Sequence, residues 1–257
     1  MRIVVKIGTS TLAHPTGHMN IRRVEEFCKI MSDIKNAGHE VILVSSGAIG
    51  MGVGELGLRE RPKDIPTKQA AAAVGQCELM YTYDKLFSEY HHTVAQLLIT
   101  GDDTKNAHRH QNITNTLNRL LQLGALPILN ENDTVATDEI VIGDNDTLAA
   151  IVAQSIHADL LILLSDIDGL YTADPHNDPN AKLLRKVTRI DEDILSLAGV
   201  SSTTQGTGGM VTKLRAAEIC LACGCNMVIA NGSHPANLYD IIDGKGVGTT
   251  FTREETL

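Results

Sequence analysis

The sequence predicts an α/β fold with a mostly parallel sheet covered by helices on both faces. Three observations carry that prediction. Several short runs rich in Val, Ile and Leu are almost continuously apolar, as strands buried on both sides must be. Segments with apolar residues at helical spacing alternate with those runs, giving βαβα order. The 257 residues are 43% apolar and include 22 glycines, a globular composition long enough for one large domain or two tightly joined lobes.

The first strand is Ile3 to Ile7. Ile21, Val24, Phe27, Cys28, Met31 and Ile34 then recur at helical spacing, and Gly38 closes that helix. Val41-Ile42-Leu43-Val44 is the next strand, followed by a Gly/Ser turn and an Ala-rich helix from Thr67 to Tyr90. A strand from Val94 to Ile99, a helix ending near Gly124 and a strand from Leu126 to Leu129 continue the alternation, and residues 131–142 read as a small hairpin at the strand ends. Helix 146–156, strand Leu160 to Leu164, helix Met210 to Leu221, strand Met227 to Ala230 and a short strand near Thr249 complete it.

Charge and composition narrow the partners. With 22 Lys plus Arg against 31 Asp plus Glu, the net charge of −9 opposes a polyanion-binding surface. Without Trp, and with three Phe and five Tyr, the core must be aliphatic, and single-stranded nucleic acid lacks a stacking platform. Met1-Arg2-Ile3-Val4-Val5-Lys6 begins a strand and has no signal-peptide pattern. The densest apolar run, Leu160 to Leu164, falls far short of the roughly 18 residues that span a bilayer. A cytoplasmic location with no membrane partner is expected. Five cysteines then read as reduced thiols, and Cys220, Cys223 and Cys225, which no second ligand pair follows at zinc spacing, as small buried hydrophobes.

In open α/β sheets ligands bind beyond the carboxyl ends of the strands, so the residues that follow each strand are candidates. Those are Lys6-Ile7-Gly8-Thr9-Ser10, Ser45-Ser46-Gly47-Ala48, Asn130-Glu131-Asn132-Asp133 and Ser165-Asp166-Ile167-Asp168-Gly169. Gly143-Asp144-Asn145-Asp146-Thr147 and Gly206-Thr207-Gly208-Gly209 each precede a helix, where backbone amides make an anion cradle. Lys6 lies in an otherwise apolar strand, a costly place for a charge unless it meets an anion at the strand end. Lys213 lies one turn into a helix opened by glycines, positioned for a phosphate.

Other motifs fit less well. Gly206 to Lys213 lacks Walker A spacing. Gly52-Val53-Gly54-Glu55-Leu56-Gly57 matches G-x-G-x-x-G but lies outside the first strand-to-helix turn, so it reads as a loop rather than a dinucleotide site. Asp166-Ile167-Asp168-Gly169 lacks the remaining calcium-loop ligands. His91-His92 and His108-Arg109-His110 read as solvated side chains, so no protein metal site is expected.

The strings VVKIGTS (4–10), SSGAIG (45–50), KQAAAAVGQ (68–76), NENDTVAT (130–137), GDNDTLAA (143–150), SDIDGLYTADP (165–175) and GTGGMVTKLRAA (206–217) resemble the amino-acid kinase family. General family motifs leave acetylglutamate, aspartate, carbamate and uridylate kinases open. NENDTVAT, GDNDTLAA and GLYTADP together point to the glutamate 5-kinase branch.

The resemblance implies a three-layer αβα sandwich forming one amino-acid kinase domain over 1–257. Its N-terminal part would hold L-glutamate, and its part from about residue 160 would hold ATP with Mg2+. The implied reaction phosphorylates the glutamate side-chain carboxylate, the first step of proline synthesis. By resemblance, Lys6 would contact the transferring phosphoryl group, Lys213 the leaving phosphate side, and Asp146 would hold both lysines in register. Ser46, Gly47, Asp133 and Asn145 map onto the glutamate contacts, with Asp133 suited to the ammonium and Ser46 and Asn145 to carboxylates. Lys6, Gly8, Thr9, Ser165, Asp166, Thr207, Gly208, Gly209, Met210, Val211, Thr212 and Lys213 map onto the ATP site. A homo-oligomer, feedback inhibition by proline involving residues 50–68, and hand-over of product to a glutamyl phosphate reductase are also implied. Many bacterial members continue into a PUA domain, which is not expected here. The other classes to test are a kinase of acetylglutamate or aspartate, and a non-catalytic glutamate or nucleotide sensor.

Overall fold

A computed structural model describes residues 1–14, 18–135, 144–175, 177–198 and 209–253. The elements run β1 (Arg2–Ile7), α1 (Thr9–Leu12), α2 (Ile21–Asn36), β2 (Glu40–Ser45), α3 (Ala48–Glu55), α4 (Ile65–Ser88), β3 (Val94–Ile99), α5 (Gly101–Lys105), α6 (Ala107–Gln122) and β4 (Leu126–Glu131). They continue with α7 (Asn145–Ser155), β5 (Leu160–Ser165), β6 (Lys186–Val187), α8 (Glu192–Ala198), α9 (Met210–Cys223), β7 (Asn226–Asn231), α10 (Asn237–Ile242) and β8 (Thr249–Phe251).

One eight-stranded sheet has the order β3-β4-β2-β1-β5-β7-β8-β6. Every neighbouring pair is parallel except β7 and β8. Strand alternation divides the core. Ile3, Val5 and Ile7 pack with α2, α4 and α10, whereas Val4, Leu161 and Leu163 pack with α6, α7 and α9. This is the three-layer αβα sandwich. The order reverses at β1, with β2, β4 and β3 to one side and β5, β7, β8 and β6 to the other. Its carboxyl end is therefore where a crevice belongs.

The structure differs from the sequence reading at several points. Residues 52–55 are not loop but the end of α3. The glycines serve a helix crossing: a Cβ at Gly52 would run into the backbone of Ala71, and one at Gly75 into the backbone of Ala48. Only glycine lets α3 and α4 approach so closely. Strand β4 continues two residues further, because Asn130 and Glu131 still pair with Leu98 and Ile99 of β3. Of the expected hairpin, residues 131–135 form the strand end and a turn, and 136–142 lie outside the described residues. Cys220 and Cys225 are buried, but Cys223 is exposed at the last turn of α9. Among the described residues no helix is long and apolar enough to cross a membrane.

Candidate active site

The site begins with Lys6. Alternation along β1 puts its side chain on the α7 and α9 face, the side of Val4. There Lys6 Nζ lies 2.7 Å from Asp146 Oδ1, and Lys213 Nζ donates to Asp146 Oδ2 at 3.1 Å. The Lys6 contact is an ion pair rather than an aligned hydrogen bond. Asp146 is wholly buried, and the two lysines are 8% and 5% exposed. Burial alone would raise the Asp146 carboxyl, but the two ammonium groups outweigh it and hold the group below the usual carboxylate range. The Thr212 hydroxyl lies 3.0 Å from Asp146 Oδ2 and 2.7 Å from the carbonyl of Gly209, tying the start of α9 to α7. Counted together, Lys6, Asp146 and Lys213 carry one surplus positive charge at the strand ends.

Local sequence explains why Asp146 stands there. The Asp144 carboxylate accepts the Thr147 N–H at 2.8 Å and caps α7, which puts Asn145 and Asp146 in the first turn. Burial and the neighbouring charge of Asp146 push the Asp144 carboxyl up. Asn145 turns the other way. Its Nδ2 donates to Ser46 Oγ at 2.8 Å and Asn130 Oδ1 at 2.9 Å, with Ser45 O more distant at 3.4 Å. Gly47, at φ +110°, makes the left-handed turn that leads from β2 into α3 beside Ser46.

The remaining candidates line the same rim. Asp133 follows β4 half-buried; burial pushes its carboxyl up, against the opposing charge of Arg61. Gly8 follows β1 and caps α1 beside Lys6: a Cβ there would meet Lys6 Nζ at 3.6 Å. Thr9 opens α1. Ser165 ends β5 and donates to the exposed Asp166 at 3.1 Å. Gly209 precedes α9, Met210 is buried and Val211 exposed. Thr207 and Gly208 lie outside the described residues.

The structure thus brings Lys6, Asp146, Lys213, Thr212 and Gly209 into one group, and Ser46 and Asn145 into another. Adjacent residues of α7 join the two. Two residues of the second group have no role assigned from sequence: Asn130, a candidate only by its place after the strand, and Gln76, whose Oε1 accepts from Asn130 Nδ2 at 2.9 Å. One signal was available. Gln76 falls on the buried stripe Ala72-Gln76-Leu79-Tyr83 of α4, where an amide needs a partner. Among the described residues no group of three or more His, Cys, Asp or Glu side chains gathers as metal ligands.

The arrangement suits transfer of an anionic group between anionic partners: buried cations on β1 and α9, glycine turns beside them, and a group of neutral polar side chains one residue away. Comparison with known proteins agrees. The amino acid kinase family profile matches residues 1–231. A glutamate 5-kinase of Clostridium perfringens is 49% identical over 99% of this chain and 96% of its own length. One from Clostridium tetani is 52% identical over 97% and 93%, respectively. A longer one, from Carboxydothermus hydrogenoformans, is 54% identical over 97% of this chain and 67% of that protein. Among solved structures, carbamate kinase from Giardia lamblia bound to AMP-PNP superposes with a TM-score of 0.70 at 17% identity, covering 98% of both chains. Isopentenyl phosphate kinase of T. acidophilum gives 0.66 at 19%, covering 98% of this chain and all of that one. The chain belongs to the amino acid kinase family, on its glutamate 5-kinase branch.

Proposed function

We propose that this chain transfers the γ-phosphoryl group of ATP to the side-chain carboxylate of L-glutamate, giving glutamyl 5-phosphate and ADP, the first reaction of proline synthesis. Roughly 50% identity to glutamate 5-kinases over nearly the whole chain supports the reaction. The observation that carries the mechanism is Asp146, buried between the ammonium groups of Lys6 and Lys213.

The nucleophile needs no general base, because a glutamate carboxylate with an ordinary pKa of about 4.3 is already ionised near neutrality. A carboxylate oxygen attacks the γ-phosphorus as the bond to the β-phosphate oxygen breaks. The obstacle is repulsion between anions, so catalysis rests on positioning and positive charge. Lys6, on the central strand, would steady the transferring group, and Lys213 the charge that develops on the departing phosphate. Asp146 holds the two ammonium groups in register. Gly8, Thr9, Ser165, Asp166 and Gly209 to Lys213, with Thr207 and Gly208, would bind the nucleotide. Ser46, Gly47, Asp133 and Asn145 would bind glutamate. In this reading one kinase domain divides near residue 160 into a glutamate-binding part and an ATP-binding part.

Among the described residues Thr9, Ser165 and Asp166, at the ends of β1 and β5, offer hydroxyl and carboxylate oxygens, a donor set that fits Mg2+. Asp166 would hold the ion together with nucleotide phosphates, and the ion would neutralise phosphate charge. Proline would act as a feedback inhibitor through residues 50–68, shared between α3, the connection after it and α4. The enzyme would work as a cytoplasmic homo-oligomer and pass its labile acyl phosphate to a reductase.

Trapping acyl phosphate with hydroxylamine across glutamate, acetylglutamate, aspartate and carbamate tests the reaction. Turnover is expected with glutamate, and none with any acceptor overturns the reading in favour of a sensor. Lys213→Ala should lower turnover far more than glutamate binding, and unchanged turnover would remove Lys213 from the mechanism.

A further inference from the structure

We infer that Gln76 and Asn130 are positioning residues. With Asn145 and Ser46 they form an amide relay that fixes which atoms of the amino-acid pocket donate and which accept, matching it to a zwitterionic α-amino acid. This rests on the glutamate reading above.

One backbone group sets the polarity. The Glu131 N–H lies 2.9 Å from the Asn130 side chain, and since an N–H can only donate, the atom it meets is Oδ1. Asn130 Nδ2 is thereby directed to Gln76 Oε1, 2.9 Å away in a buried contact. Asn130 Oδ1 also faces the Asn145 amide at 2.9 Å, so the Asn145 atom there must be Nδ2. The other Nδ2 hydrogen lies between Ser46 Oγ at 2.8 Å and the more distant Ser45 carbonyl at 3.4 Å, which can only accept. An amide nitrogen does not accept, so Ser46 is the acceptor and keeps its own hydroxyl proton to donate. What remains of Asn145 is Oδ1, buried and without a partner among the described residues.

The relay therefore leaves a donor on Ser46 and an acceptor on Asn145. A buried acceptor without a partner is unfavourable, and a ligand N–H relieves it. The donor suits a carboxylate, and the acceptor suits an ammonium. Asn145 is thus assigned to the substrate ammonium rather than to a carboxylate. Reversing its amide would set Oδ1 against Asn130 Oδ1, two acceptors face to face. Gln76 and Ser46 are tied together by packing, because α4 and α3 cross in backbone contact at Gly75 and Gly52 while α3 follows the Ser46-Gly47 turn. Among the described residues Gln76, 7% exposed, is linked to Asn145 through Asn130.

Calorimetric binding of L-glutamate and of glutarate, which lacks the ammonium, tests the relay in wild type, Gln76→Met and Gln76→Glu. KM for ATP and thermal melting are measured alongside. Wild type should prefer glutamate. In Gln76→Met, glutamate binding should weaken about tenfold while glutarate binding and KM for ATP stay within about twofold. Gln76→Glu keeps an acceptor oxygen and should keep the preference. Equal weakening of both ligands, no change in Gln76→Met, or loss of the preference in Gln76→Glu overturns the relay. If Gln76→Met does not fold, Gln76→Glu decides alone: a retained preference supports the relay and a lost one overturns it. Wild type that prefers glutamate but does not phosphorylate it refutes the proposed reaction and leaves the relay standing; wild type that phosphorylates glutamate yet shows no preference over glutarate does the reverse.

Discussion

Asp146 and Asn145 are neighbours in the first turn of α7, yet they anchor two polar groups built on different physics. Around Asp146 the partners are ionic: two ammonium groups and a carboxylate at 2.7 and 3.1 Å, all nearly withdrawn from water. Around Asn145 they are neutral amides and a hydroxyl, joined back to Gln76 on α4. Charge acts in all directions, and a lysine can turn from its carboxylate toward an arriving phosphate without losing its function. An amide chain has no net charge to offer, but it has direction. The first group suits gathering and moving anions, and the second suits telling one uncharged or zwitterionic pattern from another.

The sharpest way to break the comparison is Asp146→Ala, which removes the carboxylate that two buried ammonium groups share. Loss of one partner from a buried ion pair costs about 3–5 kcal/mol, so urea unfolding should shift by that order. Turnover should fall about 10²- to 10³-fold as the lysines lose register. Activity within a few-fold of wild type would show that the clasp is only structural. A smaller loss is expected from Gly75→Ala, whose new methyl group collides with the backbone of Ala48. Overpacking of this kind costs about 1–3 kcal/mol. Because the crossing carries Ser46 and Gln76, KM for glutamate should rise while KM for ATP holds; a rise in both would place the crossing's effect on the whole fold.

Acid stability separates the groups next. The folded-state carboxyl of Asp146 is lower than the unfolded one, so the unfolded chain binds more protons in that range. The stability it contributes is complete above the ordinary carboxylate range, near pH 4, and is lost as pH falls through the lower folded value. Urea titrations from pH 6 to 3 should therefore show a shallower acid decline in Asp146→Asn than in wild type, and parallel curves would refute it. Gln76→Met, a neutral variant of the relay, should leave that decline unchanged. Asp133 has the opposite sign. Burial raises its carboxyl, so its ionisation opposes folding as pH rises through the raised value. Asp133→Asn should stabilise the ligand-free protein at neutral pH, by less than about 1 kcal/mol, while weakening glutamate binding. A loss of stability would sink that assignment.

Much of this was readable before any coordinates. Apolar strands alternating with helical segments mark the mostly parallel sheet, and Lys6 in its apolar strand calls for an anion, of which the structure shows one, the Asp146 carboxylate. Lys213, which follows the glycine run into α9, shares that carboxylate. What misled was glycine itself: Gly52 to Gly57 read as loop because helix propensity counts glycine as a breaker, whereas Gly52 faces another helix at backbone contact. The pairing of Asn130, a strand-end candidate, with Gln76 is hidden for a related reason. One looked like the start of a turn and the other like a residue of an Ala-rich helix, and only their 2.9 Å contact, 54 positions apart, makes them a pair.

By itself, then, the sequence determined the layers, the parallel strands and the chemistry available at their ends, since periodicity and residue type act over short distances along the chain. Tertiary structure alone decided which groups meet. Asp146 lies 140 positions from Lys6 and 67 from Lys213, and it becomes their shared counter-ion because strand alternation, the Asp144 cap and the packing of α7 on α9 bring them to one point. The direction of the amide relay was decided there too: hydrogen bonds have a sense, and that sense was set by one backbone N–H at the end of β4.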